Sequence, residues 1–118
     1  MDSNQLKDRT KKFALRIITL VESLPENKTT RVIGNQILRS GTSVGANYRA
    51  ACRAKSTPDF INKLKIVEEE ADETLYWLEL LVEAKIVKED RLLELMKENN
   101  ELIAIFVSAI KSTKNPKS

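Results

Sequence analysis

The stretch TPDFINKLKIVEEEADETLYWLELLVEA, residues 57–84, decides the fold. Thr57 is a suitable N-cap, Pro58 takes the first helical position, and the Asp59 carboxylate complements the positive end of the helix dipole. After them, apolar side chains recur every three to four residues, which is the helical period. These predicted core positions are Phe60, Leu64, Val67, Ala71, Leu75, Leu78 and Val82. The stretch therefore predicts one long helix with a continuous buried face.

Three further segments repeat this period on either side of that helix. The predicted helices cover residues 4–24, 30–55, 58–84 and 89–112. Asp2 or Ser3 can cap the first helix, Thr29 or Thr30 can cap the second, and residues 113–118 are expected to form a disordered tail. Short connections make neighbouring helices antiparallel. The expected fold class is all-α, with residues 1–118 forming a single domain, an up-down antiparallel four-helix bundle.

Composition favours a soluble binding protein over an enzyme. The 118 residues include no histidine, so the usual general base and the commonest metal ligand are both missing. The single cysteine, Cys52, cannot form an intramolecular disulfide and fits a reducing compartment. No apolar run approaches the roughly 20 residues of a membrane span. We therefore expect a cytoplasmic protein with no catalytic residues, no cofactor, no metal and no membrane partner.

Charge is distributed unevenly along the chain. Between Lys28 and Thr57 there is no carboxylate, and there are six basic residues. On a helical wheel, apolar, glycine and basic residues of this segment fall on three separate stripes, which predicts one helix rather than a loop. The candidate basic surface is Lys28, Arg31, Arg39, Arg49 and Arg53. Such a stripe can bind the phosphates of a nucleic acid or pair with protein carboxylates, and the pattern alone does not choose between them.

The glycine stripe contains Gly34, Gly41 and Gly45, beside Cys52. Each glycine inside a helix costs about 1 kcal/mol relative to alanine, so a close approach of another backbone should offset that cost. The approaching element can be another helix of the same chain or a second subunit. Both interpretations stay open from the sequence.

The long helix also has a second apolar face. It consists of Ile66, Trp77, Leu80, Leu81 and Ala84, flanked by Glu70 and Glu73. Either the core wraps further around this helix, or the face joins two subunits with Trp77 as the anchor. In the second case the flanking carboxylates would meet arginines from the second helix of a neighbouring subunit. The candidate oligomer interface is Gly41, Gly45, Ile66, Glu70, Glu73, Trp77 and Leu80.

Asn99 interrupts the apolar stripe of the last helix. It either fixes the register by hydrogen bonding inside the bundle or lies at the margin of the core.

Residues 39–81 carry a family resemblance. The matching positions are Arg39-Ser40-Gly41-Thr42-Ser43, Gly45, Asn47, Asp59-Phe60, Lys63-Leu64, Glu70-Ala71, Glu73-Thr74 and Tyr76-Trp77-Leu78. This pattern resembles the four-helix-bundle proteins encoded in intervening sequences of bacterial 23S rRNA genes, and the related accessory variability determinants of diversity-generating retroelements. The resemblance implies a ring-like homopentamer. In the retroelement branch it also implies a basic surface that contacts RNA and a reverse transcriptase.

Together these features predict a non-enzymatic, self-assembling helical bundle that binds RNA or an RNA-associated protein through its basic surface. The alternative is an oligomeric protein–protein scaffold without nucleic-acid binding. The two differ in whether Arg31, Arg49 and Arg53 face solvent or pair with acidic residues.

Overall fold

The computed structural model describes residues 1–116, and in that range it contains four α-helices and no strand. The helices are α1 (Ser3–Ser23), α2 (Lys28–Ala51), α3 (Thr57–Glu83) and α4 (Glu89–Lys114). Successive helices pack side by side, and α4 returns to contact α1, giving a body of 48 × 23 × 20 Å. The prediction of an all-α bundle is confirmed. The predicted tail begins later than expected, because α4 runs through Lys114, and residues 117 and 118 lie outside the described range.

Two helices begin at caps that the sequence analysis placed too late. In α2 the Oδ1 atom of Asn27 accepts the backbone N–H of Thr30 at 2.9 Å, so the prediction of Thr29 or Thr30 as the N-cap was wrong. In α3 the Ser56 hydroxyl accepts the N–H of Asp59 at 3.2 Å, and Thr57 is the first helical residue rather than the cap. Asparagine and serine are at least as good at this position as threonine, so composition alone did not separate the candidates.

The second helix also ends earlier than the predicted residue 55. Its last residue is Ala51, after which the backbone N–H groups of Arg53 and Ala54 bond to carbonyls three residues back, at 3.1 and 3.0 Å. These tighter bonds close the helix and turn the chain toward α3. Arg53 therefore lies on the turn and not on the helix.

The turn from α3 to α4 contains a non-glycine residue in the left-handed region. Lys85 has a φ of 60°. Its N–H bonds to the Val82 carbonyl at 3.0 Å, and the N–H of Ile86 bonds to the Leu81 carbonyl at 2.9 Å. This is the Schellman arrangement, in which glycine usually occupies the position of Lys85. The turn is therefore strained at Lys85.

The buried residues of α3 repeat every three and four positions. They are Leu64, Val67, Ala71, Thr74, Leu78 and Leu81. The predicted core stripe followed Leu75 and Val82 instead, but both are only half-buried, whereas Thr74 and Leu81 are fully covered. Leu81 thus belongs to the core and not to the second apolar face. The stripe passes through Thr74 because its hydroxyl is satisfied there by two hydrogen bonds, to Ser40 Oγ and to a carbonyl of its own helix, both at 2.8 Å.

Glycines of α2 bring it close to α1. A Cβ placed on Gly41 would lie 2.8 Å from Cγ1 of Ile17, and one on Gly45 would lie 3.2 Å from Oγ1 of Thr10. Both glycines are buried within the single chain. Gly41 and Gly45 therefore serve the packing of α1 on α2 within one chain. Their assignment to an oligomer interface was wrong, because α1 already occupies the space beside them.

Asn99 of α4 lies fully inside the bundle and not at its margin. Its Nδ2 group donates to the backbone carbonyl of Ala71 on α3 at 2.8 Å. Its Oδ1 atom is buried without a hydrogen-bond partner. The hydrogen bond ties α4 to α3 at one register, since sliding either helix would remove it.

Candidate nucleic-acid interface

Three arginines of the predicted basic surface face solvent. Arg31 and Arg49 point outward from α2, and Arg53 lies on the turn after it. None of the three forms an ion pair with any residue in the range 1–116. Arg31 and Arg49 are 18 residues apart, which is five helical turns or about 27 Å on one side of the helix. Lys28, also exposed, extends the row at its first turn.

Arg39 does not belong to this exposed row. Its guanidinium bridges two carboxylates of α3, with Nη1 3.0 Å from Glu70 Oε2 and Nη2 2.7 Å from Glu73 Oε2. Hydrogen bonding from Arg39 lowers the pKa of Glu73, and the Glu73 interaction in turn raises the pKa of Arg39. The expected pairing of these carboxylates with arginines of a neighbouring subunit was therefore wrong for Arg39, because the same chain supplies the pair.

The first helix adds two lysines that the sequence analysis missed. Lys7 and Lys11 line an open groove between α1 and α2, together with Arg49. Asp8 lies at the same groove, but its carboxylate is bound to Lys12 at 2.9 Å. The antiparallel packing brings the start of α1 beside the end of α2, and the i, i+4 spacing of the two lysines on one face of α1 was the available signal. We define the basic face as six cations of α1, α2 and the following turn, of which Lys7 is half-buried and the others are exposed: Lys7, Lys11, Lys28, Arg31, Arg49 and Arg53.

Charge separates between the two helix pairs. Within their bounds, α1 and α2 contain nine basic and two acidic residues, whereas α3 and α4 contain six basic and thirteen acidic residues. An anionic ligand is therefore attracted to one side of the bundle and repelled from the other. The basic face lies on the favourable side.

The second apolar face of α3 is partly exposed. Ile66 and Tyr76 expose 45% and 53% of their surface, while Trp77 and Leu80 are half-buried. The Trp77 indole N–H donates to Glu73 Oε1 at 3.3 Å, and the Tyr76 ring meets the indole edge-on at a centroid distance of 5.1 Å. We call these four residues the Trp77 face. Glu70 and Glu73 flank it as predicted, but both are bound to Arg39.

The described residues offer no built site for a metal. Across residues 1–116 there is no group of three His, Cys, Asp or Glu side chains that could hold an ion. Cys52 is half-buried at the end of α2, near Tyr48, whose pKa is raised, chiefly by burial and then by its interaction with Cys52. In the same range of the chain, no helix is both long enough and apolar enough to span a membrane.

Comparisons with known proteins agree with one another. A family profile described as "23S rRNA-intervening sequence protein" matches residues 2–108. A crystal structure of a protein of unknown function, from the S23 ribosomal protein family of Bacteroides thetaiotaomicron, is 42% identical to this chain and superposes with a TM-score of 0.87. That match covers 94% of this chain and 99% of the other. No curated protein matches the sequence.

Proposed function

The chain belongs to the family of 23S rRNA-intervening sequence proteins, and on that premise we propose that its basic face binds structured RNA. One observation supports this proposal most directly: Arg31, Arg49 and Arg53 are exposed and unpaired within residues 1–116, where a purely intramolecular role would pair them with acids as it does Arg39. Exposed cations in a row match a phosphate backbone. The role is binding rather than catalysis, since the chain lacks histidine and its single cysteine lies at the end of a packed helix.

The same face predicts binding without base readout. Tyr48, the aromatic residue of α2, is only 6% exposed and packs against Phe106 at a centroid distance of 5.9 Å. It is therefore not available to stack on a base, and base stacking or base-edge contacts are what give RNA-binding proteins their sequence preference. We expect affinity to depend on the shape and charge of the RNA.

Fluorescence anisotropy with a labelled RNA hairpin tests this function. The wild type should bind at about 50 mM salt, and the affinity should fall steeply as salt rises, because phosphate contacts release counterions. The variant Arg31→Glu/Arg49→Glu should bind at least tenfold more weakly, with a salt slope smaller by about 2. The matched control is Lys65→Glu/Lys111→Glu, which makes the same change of net charge at exposed lysines of α3 and α4. Absence of binding at low salt, or equal loss in the control, would refute the proposal.

Self-assembly is a second function favoured by a different observation. The Trp77 face leaves an indole half-exposed beside exposed Tyr76 and Ile66, and tryptophan and tyrosine are enriched at protein interfaces. We infer that this face joins subunits, as expected for the ring-like homopentamer that the family resemblance implies. Such an assembly would present several basic faces at once and so raise its avidity for RNA, and in a retroelement setting a reverse transcriptase is a further candidate partner.

Light scattering measures this assembly directly. The wild type should be oligomeric and Trp77→Asp should be monomeric, because a carboxylate on the face would be desolvated without a partner. Val107→Asp is the matched control, since Val107 is 44% exposed on α4, away from this face. A monomeric wild type would overturn the assembly proposal. An oligomer that does not bind RNA would instead support a protein–protein scaffold.

A further inference from the structure

A groove between α3 and α4 is separate from the basic face and from the Trp77 face. It has a volume of about 640 Å³ and an apolar floor that includes Val82, Leu93 and Met96. Leu93 is 52% exposed, although it lies beside half-buried Met96 on the same strip of α4. Along α4 the lining extends from Glu89 to Ala104, which is about 22 Å or four helical turns. An apolar strip of this length between two helices is suited to receive a third helix.

Unpaired carboxylates border this floor. Glu79 and Glu83 stand one turn apart on α3, and Glu89 stands at the first turn of α4. None of the three has an ion-pair partner in residues 1–116. Like charges at i, i+4 destabilise a helix by a few tenths of a kcal/mol, so Glu79 and Glu83 repel each other unless a cation lies between them. Lys97, on α4, is the basic residue of the lining. The groove is therefore both apolar and acidic.

The outward faces of α1 and α2 fit that groove less well than a basic amphipathic helix would. On α2, which carries Arg31 and Arg49, the exposed large apolar side chains between them are Val32 and Leu38; these are six residues apart, about 120° around the helix, so they form no continuous ridge. The outward face of α1 carries exposed Leu15 and Ile18, but Asp8 and Glu22 lie on the same face. The α1 face mixes these acids with exposed Lys11, and α2 has no continuous apolar ridge. Neither face combines an apolar ridge with flanks that are basic throughout, so the occupant that fits is a different chain.

We propose that the groove binds a basic amphipathic helix of another protein. Apolar residues of the ligand helix at i, i+3 or i+4, and i+7 pack on Leu93, Met96 and Val82. Its lysines and arginines pair with Glu79, Glu83 and Glu89, which relieves their mutual repulsion. The groove lies on the helix pair opposite the basic face, so RNA and the ligand helix can be bound together. This inference does not depend on RNA binding or on self-assembly.

A labelled peptide measured by fluorescence polarisation tests the proposal. The probe is an 18-residue helix with leucine at i, i+3, i+4 and i+7 positions and lysine elsewhere. One control peptide has the same composition in scrambled order, which removes the apolar face but keeps the charge. The wild-type protein should bind the probe at micromolar concentration and the scrambled peptide at least tenfold more weakly. Equal binding of the two peptides would overturn the proposal, since it would show attraction by charge alone.

Protein variants locate the binding site. Leu93→Ser and Glu79→Lys/Glu83→Lys should each weaken probe binding at least tenfold, with the fold checked by circular dichroism. The matched controls are Leu15→Ser, which alters an equally exposed leucine of α1, and Glu69→Lys/Asp72→Lys, which alters exposed acids of α3 outside the groove. Unchanged binding in the groove variants, or equal loss in the controls, would overturn the proposal.

Light scattering of the same variants tests whether the groove is filled by a second copy of this chain instead of a partner helix. If Leu93→Ser converts an oligomeric wild type to a monomer, the groove is filled by a second copy of this chain and the proposal is wrong. If the oligomeric state is unchanged and probe affinity is the same with and without saturating RNA hairpin, the groove is an independent site for a partner helix.

Discussion

Alanine substitutions at two glycines of α2 test whether close packing is the reason for glycine there, because the two sites leave different amounts of space for a methyl group. At Gly41 an added methyl group would approach Cγ1 and Cγ2 of Ile17 at 2.8 and 2.9 Å. At Gly34 it would lie 3.6 Å from Leu24 Cδ1 and from Val21 Cγ1, which is ordinary van der Waals contact. The two substitutions to alanine should therefore change stability in opposite directions.

The magnitudes follow from two opposing effects. Replacing a helical glycine by alanine gains about 1 kcal/mol of helix propensity at either position. At Gly41 the new methyl group must displace Ile17, which is fully buried and restricted in χ1 because it is β-branched, and such overpacking costs typically 1–3 kcal/mol. We expect Gly34→Ala to stabilise the protein by about 1 kcal/mol and Gly41→Ala to destabilise it by about 1 kcal/mol.

Thermal and urea unfolding followed by circular dichroism measure this difference. For a chain of this length 1 kcal/mol corresponds to roughly 4 °C, so the two variants should differ in Tm by about 8 °C. Gly45→Ala should fall between them, since its new Cβ would meet Thr10 at 3.2–3.4 Å. If Gly41→Ala were as stable as Gly34→Ala, the close packing of α1 on α2 would not be the reason for glycine at position 41.

Three further substitutions give distinct results. Lys85→Gly should raise the free energy of unfolding by about 0.5–1 kcal/mol in urea titration. The substitution removes the cost of φ 60°, and the greater flexibility of the unfolded chain offsets part of that gain. A loss of stability would show that Lys85 is not strained. Asn99→Leu should leave stability unchanged or raise it by about 1 kcal/mol, since it removes a buried oxygen that has no hydrogen-bond partner. A loss above about 2 kcal/mol would show that the hydrogen bond to the Ala71 carbonyl contributes more stability than the buried oxygen costs. In the folded state the pKa of Glu73 lies below its usual value of 4.5, chiefly because Arg39 donates a hydrogen bond to its carboxylate. The resulting stabilisation is fully present above pH 4.5 and is lost as the pH falls through the folded pKa. Glu73→Gln should flatten the fall in stability below about pH 5, and an unchanged pH profile would refute this assignment.

The sequence predicted the number of helices and their apolar faces well, because periodicity records burial directly. It failed where a polar residue was buried or where several residues could cap a helix. Thr74 was missed because its hydroxyl is satisfied by Ser40, a partner on another helix. Asn27 was passed over because threonines stood beside it, and the choice among capping residues depends on backbone geometry.

The candidate sites show the same division. The wheel of a single helix was enough to place Arg31 and Arg49 together on a basic stripe, but it left open whether that stripe faces solvent or pairs with carboxylates. The pairing of Arg39 with Glu70 depends on the register between α2 and α3, and the addition of Lys7 to the basic face depends on the packing of α1 beside α2. Neither relation can be read from one helix alone.

The order of the helices around the bundle also has a consequence for the rate of folding. Most interhelical contacts join helices that follow one another in the chain, and the exception is α1 with α4, which Arg9 and Glu98 bridge with Nε 2.9 Å from Oε2. Such a topology has a low contact order, and helical bundles of this kind fold in microseconds to milliseconds. Each pair of successive helices can form before the four-helix bundle is complete. The contact between α1 and α4, in contrast, must close a loop of nearly ninety residues. We therefore expect the pairing of α1 with α4 to contribute little to the transition state for folding and to act mainly on the rate of unfolding.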